Sequence, residues 1–333
     1  MVHFADSVCP SHDTKFALKG EDRMNRKPLL FTAALLSTAS QLHAGTSAIT
    51  TTPPPAEPEN MLLMFDAFRV DGYGAFGMEF DKSLGELDLW QFELQSFLSK
   101  PINFGPGLSL LPTFRYEATF LRYDGTLPGF PLGDEDLHSI ELPLYLIHTT
   151  PSSPWICGAY LRPALSTDFD HIDEDDIFVD AAIGAGYKFS DSFYLGGGLA
   201  IEDAFGNEEL IPGIAFLWAP TEELTFQLLG PVFQAVWKPT ADWKFSVDVR
   251  AAGGAWNIDD NNQSRTIDFT SYRAGLHVHR RLMDTWWLEG GAGLTFANEM
   301  DLKTPSGLGL NEAILGDMDE GVYGYLAVRK EVW

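Results

Sequence analysis

The sequence predicts an all-β protein, a transmembrane antiparallel up-and-down β-barrel of about 14 strands. Apolar and polar residues alternate along many segments of eight residues or more, which is typical of strands with one apolar face. Short turns join these segments at one end, and longer, often acidic connections join them at the other. That asymmetry is typical of bacterial barrels that cross a membrane, where the long loops lie outside.

The composition limits the classes of partner. The chain has 333 residues, 45% of them hydrophobic, and a formal net charge of −25. Nucleic-acid binding depends on clustered Lys and Arg, so the acidic balance argues against a nucleic-acid partner. No stretch offers the roughly 20 consecutive apolar residues that a membrane-spanning helix needs. We therefore expect any membrane contact to be made by strands.

The N-terminal segment has the pattern of a secretory signal peptide. Residues 24–44, MNRKPLLFTAALLSTASQLHA, place two basic residues before an apolar run and end on small residues, with a cut expected after Ala44. Residues 1–23 are interpreted as an over-extended N-terminus, and residues 45–60 as a Pro/Thr-rich linker. The barrel is expected to span residues 61–333. Because Cys9 lies in the leader, Cys157 is the one cysteine left, and no internal disulfide can form.

Period-two alternation recurs along the chain and predicts the number of strands. In residues 243–251 the apolar face is Trp, Phe, Val, Val and Ala, and the opposite face is Lys, Ser, Asp and Arg. The same test predicts strands near residues 86–98, 107–121, 137–148, 155–167, 176–189, 193–203, 209–218, 223–229, 232–238, 242–256, 266–280, 285–298 and 321–333. A further strand within residues 61–80 makes an even total of fourteen. Twelve is the alternative, if two short strands between residues 209 and 238 merge or drop out.

The polar faces carry charged residues of both signs between Gly and Ala, which suits a crowded, wet barrel interior better than the solvent face of a sandwich. The predicted lumen-lining charged residues are Arg115, Glu117, Arg162, Asp180, Lys188, Lys244, Asp248, Arg250, Arg273 and Glu289. They either pair across strands and plug the lumen or line a small pore. Because both signs occur in similar number, a paired network with a narrow channel is favoured.

Two copies of one motif predict membrane-interface turns: WAPTEELTF at 218–226 and WKPTADWKF at 237–245. The Trp is expected to end a strand at the interface, and Pro-Thr to make the turn. Trp and Tyr favour such interfaces because the ring body prefers hydrocarbon and its polar edge prefers water. The predicted interface aromatics are Tyr187, Phe193, Trp218, Trp237, Trp243, Trp286, Phe296 and Trp333.

The leader, the acidic alternating strands, the W-x-P-T turns and the closing YGYLAVRKEVW resemble a family of uncharacterised bacterial outer-membrane β-barrel proteins, over about residues 60–333. The resemblance implies a porin-like barrel in the outer membrane, in contact with its lipid and lipopolysaccharide. It also implies an assembly machinery that reads a C-terminal aromatic residue, which Trp333 matches. Arg329 and Glu331 depart from the pattern, because they share a strand face with Trp333 where apolar residues are usual.

Three residue groups could carry chemistry. His277 and His279 point to one strand face and could share a metal or act as bases. The alternative is that they are ordinary polar residues near the rim of the barrel. A Ser-His-acid hydrolase could use Ser271, His277 and Glu289, but no nucleophile motif surrounds Ser271. The acidic segment 168–176 lacks the spacing of a calcium loop. We expect no catalytic residues, no metal site and no cofactor.

The favoured functional hypothesis is an outer-membrane barrel that acts as a passive channel for small solutes or as a structural surface protein. A secreted soluble β-protein that binds a ligand such as carbohydrate is the first alternative, and a barrel-embedded lipid hydrolase is the second. The solute, the oligomeric state and whether the 298–320 loop plugs the barrel stay open at this stage.

Overall fold

A computed structural model describes residues 66–80, 85–125, 134–150, 152–172, 174–204, 207–259, 264–303 and 317–331. Within these ranges the chain forms seventeen strand segments and one 3₁₀ turn, Glu174–Asp176. The predicted leader, the linker, most of the 298–320 loop and Trp333 lie outside the described residues. No helix in the described ranges is long and apolar enough to cross a membrane.

The strand segments follow one another along the chain with few residues between them. They are β1 (Asp66–Glu79), β2 (Gly85–Phe97), β3 (Ile102–Gly105), β4 (Leu108–Gly125), β5 (Glu135–Glu141), β6 (Leu144–Thr149), β7 (Trp155–Thr167), β8 (Ile177–Ser190), β9 (Phe193–Ala204), β10 (Asn207–Trp218), β11 (Leu224–Leu229), β12 (Val232–Thr240), β13 (Trp243–Asp259), β14 (Ser264–Met283), β15 (Trp286–Lys303), β16 (Asp317–Met318) and β17 (Gly321–Glu331).

The segments form a closed ring of fourteen barrel strands. We call each barrel strand a stave, because three of them consist of two segments. Each stave pairs antiparallel with the next one along the chain, and β1 pairs with both β2 and β17, which closes the sheet on itself. Three staves consist of two segments each: β2 with β3 and β5 with β6 share the partner β4, and β16 with β17 share the partner β15. The predicted up-and-down barrel of fourteen strands is confirmed, and the twelve-strand alternative is wrong, because the short strands β11 and β12 are separate staves.

The first copy of the W-x-P-T motif agrees with the predicted turn, and the second copy differs from it. In the first copy, Pro220 and Thr221 lie between β10 and β11, as expected. In the second copy, β12 continues to Thr240 through a register shift after Trp237, and the turn is at residues 241–242. The threonine has the same role in both copies. The Thr221 hydroxyl accepts a hydrogen bond from Leu224 N at 3.1 Å, and the Thr240 hydroxyl accepts one from Asp242 N at 3.3 Å.

The polarity of the two sheet faces reverses near the long-loop rim. On β15 a bulge that contains Ala297, with a positive φ of 49°, adds one residue between Phe296 and Glu299. Beyond it, Met300 and Leu302 point inward and are fully buried. The crowded, wet interior that the alternation predicts therefore does not extend to this end, where apolar side chains narrow the lumen. Their main cluster comprises Met78, Phe80, Leu87, Leu89, Leu121, Leu137, Trp256, Ile258, Ile267, Phe269, Met300, Leu302 and Met318.

Candidate functional site

Below this apolar cluster, which we call the loop-end plug, the lumen is filled by ion pairs. Glu141 joins two arginines from neighbouring staves: its carboxylate lies 3.1 Å from Arg115 and 3.2 Å from Arg162. The remaining partners are Glu93 at 2.8 Å and Glu117 at 2.5 Å for Arg115, and Asp180 at 2.5 Å for Arg162. These groups come from β2, β4, β5, β7 and β8, so one continuous network covers a third of the interior wall.

A second network lies on the opposite wall, on β13, β14 and β15. Asp248 forms an ion pair with Arg250, and its carboxylate lies 3.2 Å from His277 Nε2. Glu289 lies 3.2 Å from His277 and 3.4 Å from His279. All these carboxylates and imidazoles are buried, and alternation on adjacent strands is what places them on one surface.

Near the short turns the lumen is narrowed by a contact that spans two intervening strands. Lys244 on β13 donates to Glu331 on β17 at 2.6 Å, although β14 and β15 lie between the two strands. The Lys244 ammonium also lies 4.0 Å from the centre of the buried Trp287 ring. Arg329 approaches Asp66 and Glu331 at 3.8 and 3.7 Å. The two charged residues of the last strand that departed from the outer-membrane pattern therefore point into the lumen.

Glycines on the inner face leave the space that the larger side chains occupy. A Cβ at Gly275 would lie 1.8 Å from the Tyr323 hydroxyl, and one at Gly291 would lie 2.5 Å from His277 Nδ1. The absence of side chains at these positions lets Tyr323 of β17 meet His277 of β14 above the intervening strand, with their polar atoms 3.3 Å apart. The Gly-rich inner faces thus reflect close packing of a narrow interior.

Between the networks and the plug lies a cavity of about 360 Å³. Arg69, Arg115, Arg162, Arg250 and Arg273 line it, together with several of the carboxylates named above. Four of these arginines are ion-paired. Arg273 instead stacks on Tyr73, with 4.0 Å between the guanidinium carbon and the ring centre. The cavity is therefore a polar chamber in which one cation faces an aromatic ring.

The predicted lumen residues are distributed unequally over these features. The two networks and the cavity include eight of them, and Lys244 forms the contact with Glu331 near the short turns. Lys188 instead lies at the short-turn rim and donates to Asp191 at 2.6 Å. This hydrogen bond lowers the pKa of the Asp191 carboxyl below its ordinary value. Sequence reasoning missed Arg69, Asp71, Glu93 and Glu141, although Glu93 and Glu141 fall within predicted strands and alternation could have found them.

The predicted interface aromatics that the structure describes lie on the outer face. At the short-turn rim they form touching pairs: Trp218 with Phe226 at 5.5 Å, Trp237 with Phe245 at 5.6 Å, and Trp286 with Phe68 at 6.0 Å between ring centres. Trp243 and the neighbours Tyr187 and Phe193 continue this ring of aromatics. Phe296 lies near the other end, 5.7 Å from Tyr272.

The structure does not assemble the predicted Ser-His-acid group. The Ser271 hydroxyl donates to Asn298 Oδ1 at 2.7 Å and does not meet His277. A different serine, Ser246, lies 3.0 Å from His279 Nε2, and Glu289 is on the other side of that ring. Ser246 and His279 are each 3% exposed, so the serine lacks the open approach that a nucleophile needs. Within the described residues, no group of three or more His, Cys, Asp or Glu side chains is arranged to hold a metal ion.

The fold and the interior together define an antiparallel up-and-down barrel with a closed sheet and an ion-paired lumen. Residues 132–306 match the model of one protein family, described as a domain of unknown function (DUF6268), and the chain belongs to that family. No curated protein matches the sequence.

Similar solved structures include a Pseudomonas aeruginosa FadL homologue, with 11% identity, a TM-score of 0.40 and coverage of 91% of this chain and 98% of that one. A mutant of the TodX monoaromatic hydrocarbon channel has 8% identity, a TM-score of 0.37 and coverage of 84% and 93%. The NanC porin has 6% identity, a TM-score of 0.35 and coverage of 80% and 100%.

Proposed function

We propose that this chain is an integral barrel of a bacterial outer membrane, with a narrow, ion-paired lumen that passes small polar solutes or ions. This proposal rests on the outer face of the barrel. Large apolar side chains are exposed on that face, among them Ile183, Leu276 and Leu326, with exposed fractions of 62%, 66% and 59%. A contiguous apolar surface of this kind on a closed barrel needs an apolar surrounding.

The dimensions of the apolar band support the same location. On β15, Trp286 and Phe296 stand on the outer face ten residues apart, which is about 23 Å along the membrane normal for strands tilted by ~45°. The band of an outer-membrane barrel is about 25 Å tall. Above the Ala297 bulge the outer face carries Glu299 and Asp301, as expected of a wall that leaves hydrocarbon and enters water.

The lumen supports slow passage of small solutes. Barrels of this strand number could enclose a wide interior, but here arginine–carboxylate pairs occupy the middle and apolar side chains occupy the loop end. Ions and small polar molecules can exchange with the waters of such an interior, whereas larger solutes meet side chains that must move. We therefore expect a small single-channel conductance with weak selectivity, because charges of both signs line the path.

The other two functional hypotheses find less support. A soluble secreted protein would expose the outer apolar band to water, at a cost of about 25 cal/mol for each Å² of apolar surface left unburied. A hydrolase would need the buried Ser246 to become accessible.

Two measurements test the proposal separately. Cell fractionation and gels run with and without heating test the barrel: we expect the protein in the outer membrane and a folded band that migrates differently from the heated one. Recordings in planar bilayers test the lumen. A protein found soluble in the periplasm would refute the membrane location, whereas an inserted barrel with no conductance would refute the channel and leave a structural barrel.

A further inference from the structure

Two pairs of a tryptophan and a basic residue lie side by side on the outer face at the short-turn rim. Trp243 of β13 is the direct cross-strand partner of Arg280 of β14, and the guanidinium carbon lies 4.8 Å from the centre of the indole. Trp286 of β15 is the direct partner of Lys330 of β17, with 5.9 Å between the ammonium nitrogen and the ring centre. The four residues lie on adjacent staves and form one surface, which we call the cationic rim patch.

Both cations of the patch point away from the lumen. On β14, Arg280 follows the buried His279, and its side chain is 44% exposed. On β17, Lys330 is exposed, while its two neighbours in the chain point into the lumen. The two cations flank β15 with an offset of two residues, so their Cα atoms are about 12 Å apart, from strand spacings of ~4.8 Å and a rise of ~3.3 Å per residue. Their long side chains can therefore reach one small anion from both sides.

Neither cation is held in a direct ion pair. The Asp242 carboxylate lies 3.7 Å from Arg280, which is longer than a hydrogen bond. Lys330 has no carboxylate within ion-pair distance among the residues that the structure describes. The guanidinium and ammonium groups therefore keep donors that an anion from outside the protein can use.

The outward charges differ between the two ends of the barrel wall. At the loop end the outer face carries the acids Glu79 and Glu86, which are cross-strand partners, and Glu299 of β15. At the short-turn end it carries Arg280 and Lys330, at the level of the aromatic rim. In the proposed membrane location, an anionic lipid is therefore attracted to the short-turn end and repelled at the loop end.

The tryptophans of the patch discriminate between lipid headgroups. An ammonium or quaternary ammonium group binds well over an indole face. Here Arg280 and Lys330 already occupy the faces of Trp243 and Trp286, and their charges repel the ammonium of a zwitterionic headgroup. A phosphodiester in a headgroup without an ammonium accepts charge-assisted hydrogen bonds from both cations and meets no such repulsion. This chemistry fits an anionic glycerophospholipid such as phosphatidylglycerol.

We propose that the cationic rim patch binds one anionic phospholipid, whose phosphate lies between Arg280 and Lys330 while its acyl chains lie along Leu288 and the outer face of β15. This inference rests on the proposed membrane location and concerns the outer surface of the barrel. A basic residue near an anionic lipid contributes roughly fivefold in affinity, so two of them should give a preference of about 25-fold over phosphatidylcholine.

The test is native mass spectrometry of the folded mature barrel, released from micelles that contain equal amounts of dioleoyl phosphatidylglycerol and dioleoyl phosphatidylcholine. The acyl chains are identical and only the headgroup differs. We expect one bound phosphatidylglycerol, in an excess of about 25-fold over phosphatidylcholine. The double variant Arg280→Gln/Lys330→Gln should bind the two lipids equally. Arg122→Gln is the matched control and should keep the preference, because Arg122 also lies over an aromatic ring, that of Phe120, but donates to Asp136 at 2.8 Å.

A competitor separates a lipid site from a site for soluble phosphates. Glycerol phosphate has the phosphate but no acyl chains, and at an equal concentration it should not displace the lipid. Equal binding of the two lipids by the unaltered protein, a preference that survives in the double variant, or displacement by glycerol phosphate would overturn the inference. If the barrel inserts and shows a heat-dependent gel shift but has no lipid preference, the inference alone fails. If it does not insert, the proposed function fails first and takes the inference with it.

Discussion

Replacement of Leu276 by Arg separates a membrane barrel from a soluble one. Leu276 lies on the outer face of β14, four residues from Tyr272 and four from Arg280, which stacks on Trp243 of the short-turn rim. At roughly 3.3 Å per residue and ~45° tilt, the side chain lies about 9 Å from the level of Tyr272 and about 9 Å from that of Arg280. In the proposed membrane location this is near the midplane of the bilayer, where an arginine on a barrel surface costs about 2–4 kcal/mol.

A soluble barrel predicts a different outcome for the same variant. Leu276 is 66% exposed, and a surface substitution in water changes stability by no more than about 0.5 kcal/mol. The assay is urea titration of folding into phosphatidylcholine vesicles, followed by tryptophan fluorescence and by the heat-dependent gel shift. Ser152→Arg, in an exposed short turn, is the control and should leave the midpoint unchanged. A Leu276→Arg protein as stable as the Ser152→Arg protein would refute the assignment of the outer face to lipid.

Two further predictions concern the interior. Glu141→Gln removes the buried carboxylate that two arginines share and should cost about 3–5 kcal/mol in the same titration, whereas Asp136→Asn, in an exposed ion pair, should cost no more than about 1 kcal/mol; equal losses would show that the lumen network contributes little. Gly275→Ala places a methyl group 1.8 Å from the Tyr323 hydroxyl and should destabilise by about 1–3 kcal/mol, while Gly324→Ala meets nothing within 4 Å and should be neutral or slightly stabilising; an unchanged Gly275→Ala midpoint would contradict the close packing of the inner face.

Period-two alternation predicted the barrel and thirteen of its strands, and the even strand number of such barrels added the fourteenth. Each strand has one face toward the interior, and a shift by one residue would exchange the two faces, so the pattern in residues 243–251 determined which residues line the lumen. The W-x-P-T motif predicted the turn after β10 correctly, but in its second copy Pro239 and Thr240 still belong to β12 and the turn follows them. The leader, the linker and Trp333 stay predictions, since they lie outside the described residues.

The loop-end plug could not be predicted from alternation. The bulge at Ala297 adds one residue to β15, and beyond it the inner face becomes apolar, but a single inserted residue leaves no clear mark in a short alternating segment. Alternation also could not show which serine lies beside a histidine. The sequence suggested Ser271, whereas the structure places Ser246 there. Ser246 and Ser271 both point inward, and only the register of β13 with β14, Ser246 opposite His277, decides which of them comes near an imidazole.

Spin labelling on β7 tests the central claim of an outer face in lipid most directly. Leu161 is exposed on that face, six residues from Trp155 at the short-turn rim, or about 14 Å into the band. A nitroxide is attached to Leu161→Cys in a Cys157→Ser background, with the barrel in vesicles, and compared with one at Ser152→Cys in the turn. We expect the label at position 161 to collide readily with oxygen and rarely with a water-soluble nickel chelate, and the label at position 152 to do the reverse. Equal access of the chelate to both positions would mean that the apolar face meets water.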